Sequence, residues 1–250
     1  MRIAGFAVLA LLAAAPVADA AEIHVLMPPL IFNAGYKELS ADFTKASGTV
    51  VTHKINELGT MRESIKTASP TPDVIFLPAD QMADLEKEGG LKAGTRTHLG
   101  RVEIGLGVRP GAPHPDISTV PKLIAVLKAA RSVVYTNPKG GSMQARIIDD
   151  LLNRPEFAGI NKMYSTKGNG AAALSRGEAE MALQLECELI GHEGLEDAGP
   201  LPPELKASID TATAVPANAP HPEDGLAFVR FMARPAADPI WKSHGLTRVH

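Results

Sequence analysis

The order of apolar and polar residues over the first half of the chain predicts alternating strands and helices. Residues 22–27, EIHVLM, alternate like a half-buried strand, and TVVTHKI at 49–55 predicts a second strand. PDVIFLPA at 72–79 is a nearly continuous apolar run, as in a buried parallel strand. The stretch between the first two strands predicts a helix that Gly48 ends, with its apolar residues at Ile31, Tyr36, Leu39 and Phe43. This order indicates a parallel sheet covered by helices.

The same alternation continues through the second half. VEIGLGVRPG at 102–111 predicts a strand, STVPKLIAVLKAA at 118–130 a helix capped by Ser118 or Thr119, and SVVYTN at 132–137 another strand. SIDTATAVPA at 208–217 predicts an extended segment. No internal repeat interrupts the pattern, so the chain is expected to form two α/β units.

The first twenty residues are expected to form a signal peptide and not part of the fold. Arg2 is followed by a short apolar run, and Ala18-Asp19-Ala20 has the small-x-small pattern of a cleavage site. We therefore expect a soluble protein exported to the periplasm, with a retained N-terminal anchor as the alternative. The single cysteine, Cys187, cannot form an internal disulfide. The net charge of −3 gives no basic face for nucleic acid, so no nucleic-acid partner is expected.

A candidate anion site lies at the turn that precedes a predicted helix, in VVYTNPKGGSMQARIIDDLL. Gly140 and Gly141 allow a ligand to approach the backbone, and Ser142 adds a hydroxyl at the helix N-terminus, where unpaired N–H groups favour an anion. The alternative is an ordinary turn with a helix cap. Two further turns have a similar character, Pro28-Pro29 after the first strand and Gly59-Thr60 before a helix that carries Arg62.

Five blocks, taken in order, resemble the bacterial periplasmic solute-binding proteins of the molybdate-binding type. They are PDVIFLPADQM, YTNPKGGS, SRGEAEMALQLECELI, GPLPPEL and FMARPAADPIWKSHGL. The resemblance implies an α/β, two-lobe periplasmic binding protein of type II, with mostly parallel sheets and a ligand cleft between the lobes. It places one lobe at 21–102 plus 209–250 and the other at 103–208.

The sequence departs from the molybdate-binding members where they hold the ligand. Those members have serines in the first two turns and a tyrosine near the position of Leu185, whereas this chain has prolines after its first strand and Leu58-Gly59-Thr60 in the second turn. The segments GGS, GEAE and GPLPPEL resemble a branch related to aconitate isomerase. The expected ligand is therefore a small anion, and a di- or tricarboxylate more than molybdate, because Arg62 and Gln184 suit a carboxylate.

Two functions stay open at this stage. The favoured one is a monomeric binding protein that holds an anion at Pro29, Gly59, Thr60, Arg62, Gly140, Gly141, Ser142 and Gln184 and delivers it to the membrane permease of an ABC importer. The other is an aconitate isomerase, which needs a positioned base near the ligand. Tyr135, Glu186 and Glu188 are the nearest candidates, and Tyr135 and Glu186 are selected. Neither function requires a cofactor, and no histidines have the spacing of zinc ligands, so no metal is expected.

Overall fold

The computed structural model describes residues 21–57 and 60–248 as an α/β protein built on ten strands. The signal-peptide prediction lies outside the described residues. The strands are β1 (Glu22–Met27), β2 (Val50–Ile55), β3 (Val74–Pro78), β4 (Thr97–Val108), β5 (Val133–Tyr135), β6 (Lys162–Tyr164), β7 (Met181–Leu185), β8 (Glu196–Pro200), β9 (Ser208–Ala214) and β10 (Leu246–Thr247). The α-helices are α1 (Pro29–Ile31), α2 (Lys37–Ser47), α3 (Met61–Thr67), α4 (Ala79–Lys87), α5 (Val120–Ala129), α6 (Met143–Leu152), α7 (Gly170–Ser175), α8 (Glu186–Leu189), α9 (Pro222–Met232) and α10 (Asp238–Ser243).

The sheet consists of two parallel outer parts joined by antiparallel strands. Its order is β2-β1-β3-β9-β4-β7-β5-β6, with β8 and β10 paired to β4. β1 pairs in parallel with β2 and β3, and β5 pairs in parallel with β6 and β7, whereas every pair formed by β4 or β9 is antiparallel. The expected α/β class of a periplasmic binding protein is confirmed, and the antiparallel centre is the feature that the apolar runs did not reveal.

The long strand β4 connects the two parts of the sheet. Its residues 97–103 pair with β9, and its residues 104–108 pair with β7. The change of partner between Glu103 and Ile104 lies close to the residue at which the resemblance divides the chain. The lobe boundaries themselves stay a prediction.

The predicted strand and helix positions agree well with the structure where a local pattern was strong. The EIHVLM and TVVTHKI segments form β1 and β2, and every residue of β3 is buried. α2 ends as expected at Gly48, which has a φ of +76°. Thr119 occupies the N-cap position of α5, but neither of the expected side-chain caps forms there.

A kink before α2 was not predicted. Residues 32–36 form a single π-helical turn in which Gly35 has a φ of +111°. A side chain at Gly35 would place its Cβ 3.3 Å from the Ile240 carbonyl oxygen, so glycine is needed both for the conformation and for the close approach of α10. Such π-turns are frequent at functional sites, and this one carries Asn33, which lines the cleft described below.

Candidate binding cleft

A concave site lies where the carboxyl ends of parallel strands from both parts of the sheet face one another. It is a cleft of about 560 Å³. Residues 28–33 and Glu57 follow β1 and β2, whereas residues 136–144, 168–172 and 188–192 follow β5, β6 and β7. Ligands of open α/β sheets bind at this edge. The topology therefore brings together five turns that are distant in sequence.

The N-terminus of α6 opens into this cleft, as the Gly-Gly-Ser segment predicts. Gly140 and Ser142 line the cleft, and the Ser142 hydroxyl accepts a hydrogen bond from the Ala145 N–H at 3.3 Å. Gly141 has a φ of +84°, and its carbonyl accepts a bond from Arg146 at 3.2 Å. A Cβ on Gly140 or Gly141 would meet no atom within 4 Å. The backbone is thus open to a ligand at Gly140, whereas Gly141 supplies the left-handed conformation that reverses the chain.

Replacing Ser142 with alanine is expected to have two modest effects. The loss of the helix cap should lower the free energy of unfolding by about 1 kcal/mol. The loss of a hydroxyl facing the cleft should weaken ligand binding by about 1 kcal/mol as well. Urea unfolding and titration calorimetry measure the two effects separately. Ser118→Ala, an exposed serine before α5 and outside the cleft, is the control and should leave both unchanged. Unchanged affinity in Ser142→Ala would mean that this serine serves only as a cap.

The carboxyl group of Glu188 lies in the wall of the cleft and is held from behind by two amides. The Gln184 side chain donates to Glu188 Oε2, and Asn169 Nδ2 donates to the same oxygen at 3.3 Å. Gln184 is fully buried and accepts a bond from the Thr136 hydroxyl at 3.1 Å. Asn169 also caps α7, since its Oδ1 accepts from the Ala172 N–H at 2.9 Å. Both amides are therefore fixed, and the carboxyl position is fixed with them.

The cleft is rich in amides and carboxyls and poor in cations. Among the residues that the structure describes, no lysine or arginine lines it, whereas Glu57, Glu188 and His192 do. Burial raises the pKa of Glu188, and the neighbouring Glu57 carboxylate raises it further. A raised pKa favours the neutral form of the Glu188 carboxyl, and this form repels an anion less than the carboxylate does. A protonated Glu188 can also donate a hydrogen bond to a ligand oxygen.

The structure brings only part of the expected ligand set into the cleft. Pro29, Gly140 and Ser142 line it, and Gln184 acts from behind through Glu188. Gly59 lies outside the described residues. The Thr60 hydroxyl is turned back to the Glu57 carbonyl, to which it donates at 3.1 Å.

The structure places Arg62 away from the cleft. Its guanidinium forms an ion pair with Glu88, which follows α4, and Arg62 is absent from the cleft wall. The side chain is about two-fifths exposed, so the pair lies at the surface. A carboxylate of the protein therefore balances this cation in the first turn of α3.

The two selected base candidates also lie away from the cleft. The Tyr135 hydroxyl donates to Asp149 at 2.7 Å, and burial together with that carboxylate raises the pKa of Tyr135. Glu186 lies beside β4, where a Cβ on Gly105 would be 3.0 Å from Glu186 Cγ. Neither residue lines the cleft, whereas Glu188, the candidate that was not selected, does.

Several polar residues of the cleft were missed by the sequence analysis. Asn33, Glu57, Thr136, Asn137, Gln144, Asn169 and His192 all line it. Thr136 and Asn137 directly follow β5, and Glu57 follows β2 by two residues. The available signal was therefore position, because polar residues just after parallel strands share one edge of the sheet.

Two kinds of feature are absent from the part of the chain that the structure covers. No three His, Cys, Asp or Glu side chains within 21–57 and 60–248 lie close enough together to hold a metal ion. In the same two ranges, no helix is long and apolar enough to cross a membrane.

Comparison with known proteins agrees with this architecture. Over 92% of the chain, the fold matches the substrate-binding domain of a putative molybdenum ABC transporter from Clostridium difficile, covering 100% of that chain with a TM-score of 0.75 and 13% identity. The periplasmic molybdate-binding protein of Azotobacter vinelandii matches over 91% of this chain and 100% of its own, with a TM-score of 0.68 and 16% identity.

A protein with a similar sequence is named as an enzyme and not as a binding protein. A protein from a Pseudomonas species named aconitate isomerase is 28% identical over 178 residues, which are 71% of this chain and 68% of that protein. Residues 31–247 match the profile of the bacterial extracellular solute-binding proteins. With most of its length matched, the chain belongs to this family of extracellular solute-binding proteins.

Proposed function

We propose that this protein captures a small di- or tricarboxylate in the cleft between the two parts of its sheet. The observation that carries the proposal is a cleft lined by amides and hydroxyls, with the N-terminus of α6 on one wall and Glu188 on another. A helix N-terminus and the Ser142 hydroxyl suit one carboxylate group. The side-chain amides of the cleft offer donors to a second.

The dimensions and lining of the cleft favour an organic anion over a tetrahedral oxyanion. A volume of about 560 Å³ falls in the range of small-molecule sites, about 300–1,000 Å³. Its walls carry the side-chain amides of Asn33, Asn137, Gln144 and Asn169, which both donate and accept hydrogen bonds. A molybdate or sulfate dianion offers only acceptors, whereas a hydroxylated carboxylate such as citrate offers a hydroxyl donor as well.

The expected measurement is a thermal shift caused by carboxylates. Citrate, trans-aconitate and succinate are compared with molybdate and sulfate in thermal unfolding, followed by titration calorimetry. A ligand present at about ten times its Kd should add about 1.4 kcal/mol to the free energy of unfolding. Tight binding of molybdate in calorimetry, with no binding of any carboxylate, would contradict the proposal.

We further propose that the protein acts in the periplasm and delivers its ligand to the membrane permease of an ABC importer. Support comes from family membership and from the periplasmic and transporter-associated proteins whose fold it shares. Deletion of the gene should then abolish uptake of the ligand that calorimetry identifies, and periplasmic extracts should contain the protein.

A second candidate function is isomerisation of aconitate. Two observations favour it: the sequence relative that carries that name, and the carboxyl group of Glu188 in the cleft wall. Proton NMR of trans-aconitate with purified protein tests it, because cis-aconitate accumulates if the protein is an isomerase. Binding without conversion would leave capture as the sole function.

A further inference from the structure

Two carboxyl groups on the short helix α8 have different surroundings. Glu186 and Glu188 are separated by Cys187, which is buried. Glu186 Cγ lies against β4 at Gly105, and a Cβ on Gly245 would lie 3.1 Å from Glu186 Cβ. Glu188 faces the ligand cleft instead. A ligand in the cleft would therefore meet only one of the two acids.

The hydrogen bonds of Glu188 leave one of its oxygens available. Both amide donors, from Gln184 and Asn169, bond to Oε2. Within the described residues, no hydrogen bond engages Oε1. A carboxyl held at one oxygen and open at the other is well placed to take up or release a proton at a bound molecule, because its position is fixed before the ligand arrives.

The surroundings of Glu188 also raise its pKa, and a higher pKa makes its carboxylate a stronger base. Burial is the main cause that raises its pKa above that of an ordinary glutamate. A carboxylate with a raised pKa is a stronger base, and proton transfer is most efficient when the pKa of the group approaches the working pH.

From this geometry we propose that Glu188 is the general acid–base residue of the cleft and moves a proton between two carbons of a bound unsaturated di- or tricarboxylate. The inference rests on the proposed capture of such a ligand. The Glu188 carboxylate takes a proton from a CH₂ group next to both a carboxylate and a carbon–carbon double bond. The electron pair of the broken C–H bond is shared over the three carbons of the allylic system, which becomes a delocalised carbanion.

The step is completed by return of the same proton. The protonated Glu188 gives it to the far carbon of the allylic system, where a new C–H bond forms and the double bond has moved by one position. The carboxylate is regenerated, and no oxidant, reductant or further reactant is consumed. The Ser142 hydroxyl at the start of α6 can donate to the carboxylate group onto which the negative charge spreads.

The test compares wild type with Glu188→Gln, using trans-aconitate as the probe. Calorimetry measures binding, and proton NMR in D₂O follows both conversion to cis-aconitate and deuterium incorporation. Glutamine keeps the shape and an acceptor oxygen for the two amide bonds, so binding should be retained. The rate should fall by about 10²–10⁴-fold, the usual effect of losing a general base.

Glu186→Gln is the matched control, since it removes the other acid of α8 and leaves the cleft wall intact. It should convert trans-aconitate at the wild-type rate. If Glu188→Gln does not fold, Glu188→Asp provides the test, because it withdraws the carboxyl by one methylene and should slow conversion while binding persists.

The outcomes separate this inference from the proposed capture. Wild-type protein that binds trans-aconitate but neither converts nor deuterates it overturns the acid–base role and leaves capture intact. Conversion that survives in Glu188→Gln overturns the assignment to Glu188. Failure of every carboxylate to bind overturns both proposals together.

Discussion

Asp73→Ala is expected to lower the free energy of unfolding by about 3 kcal/mol, because two backbone donors lose a charged acceptor. The Asp73 side chain is fully buried just before β3. Its two oxygens accept from the His24 N–H at 2.9 Å and from the His221 N–H at 2.6 Å. The carboxylate thereby joins β1 to the start of α9, two segments almost two hundred residues apart. Urea unfolding followed by circular dichroism measures the change.

Asp84→Ala is the control for this prediction. Asp84 forms an exposed ion pair with Lys87 at 3.0 Å on α4, and such pairs contribute about 0–1 kcal/mol. Asp73→Asn, which keeps one acceptor oxygen, should fall between the two variants. Stability of Asp73→Ala within about 1 kcal/mol of wild type would show that the backbone donors find other partners.

Glu186→Gln is expected to stabilise the protein above neutral pH and to leave its stability unchanged near pH 4. Burial, with Asp197 and Glu103 as further causes, raises the pKa of Glu186 to about 7. An unfolded glutamate has a pKa of about 4.3. Between these values the native state retains a proton that the unfolded state has released, so the free energy of unfolding falls as the pH rises.

Glutamine at position 186 does not titrate, so the free energy of unfolding no longer falls with pH through this group. After allowance for solvent screening of a partly exposed group, the gain at pH 8 should be about 2 kcal/mol. Denaturant unfolding at a series of pH values from about 4 to 8 measures it. Glu193→Gln, which makes the same substitution at an exposed glutamate soon after α8, is the control variant. An identical stability difference for Glu186→Gln at acidic and alkaline pH would contradict the expected titration.

The sequence alone was sufficient for those features that depend on neighbours along the chain. Alternation in β1, the continuous apolar run of β3 and the glycine at the end of α2 each reflect a local rule, and the structure confirms all three. A local rule also predicts that Gly140 and Ser142 lie in the cleft, and both line it. A turn from a parallel strand into a helix always lies at the carboxyl edge of the sheet.

The roles of charged side chains were decided by the tertiary structure. Arg62 is balanced by Glu88, 26 residues further along the chain, and Tyr135 is held by Asp149 on α6. Spacing along the sequence carries no information on such partners, because the folding of distant segments brings them together.

The two glutamates of α8 show most clearly what the sequence predicts and what only the tertiary structure decides. Both glutamates of the sequence ECEL were candidates for a base, and the structure places Glu188, not Glu186, in the wall of the cleft. The strand β7 fixes the start of the helix, so that Glu186 packs beside β4 and Glu188 reaches the amides of Gln184 and Asn169. The sequence thus determined the fold and the edge of the sheet at which the candidate cleft lies, whereas packing of β4 against α8 decided which carboxyl group lines that cleft.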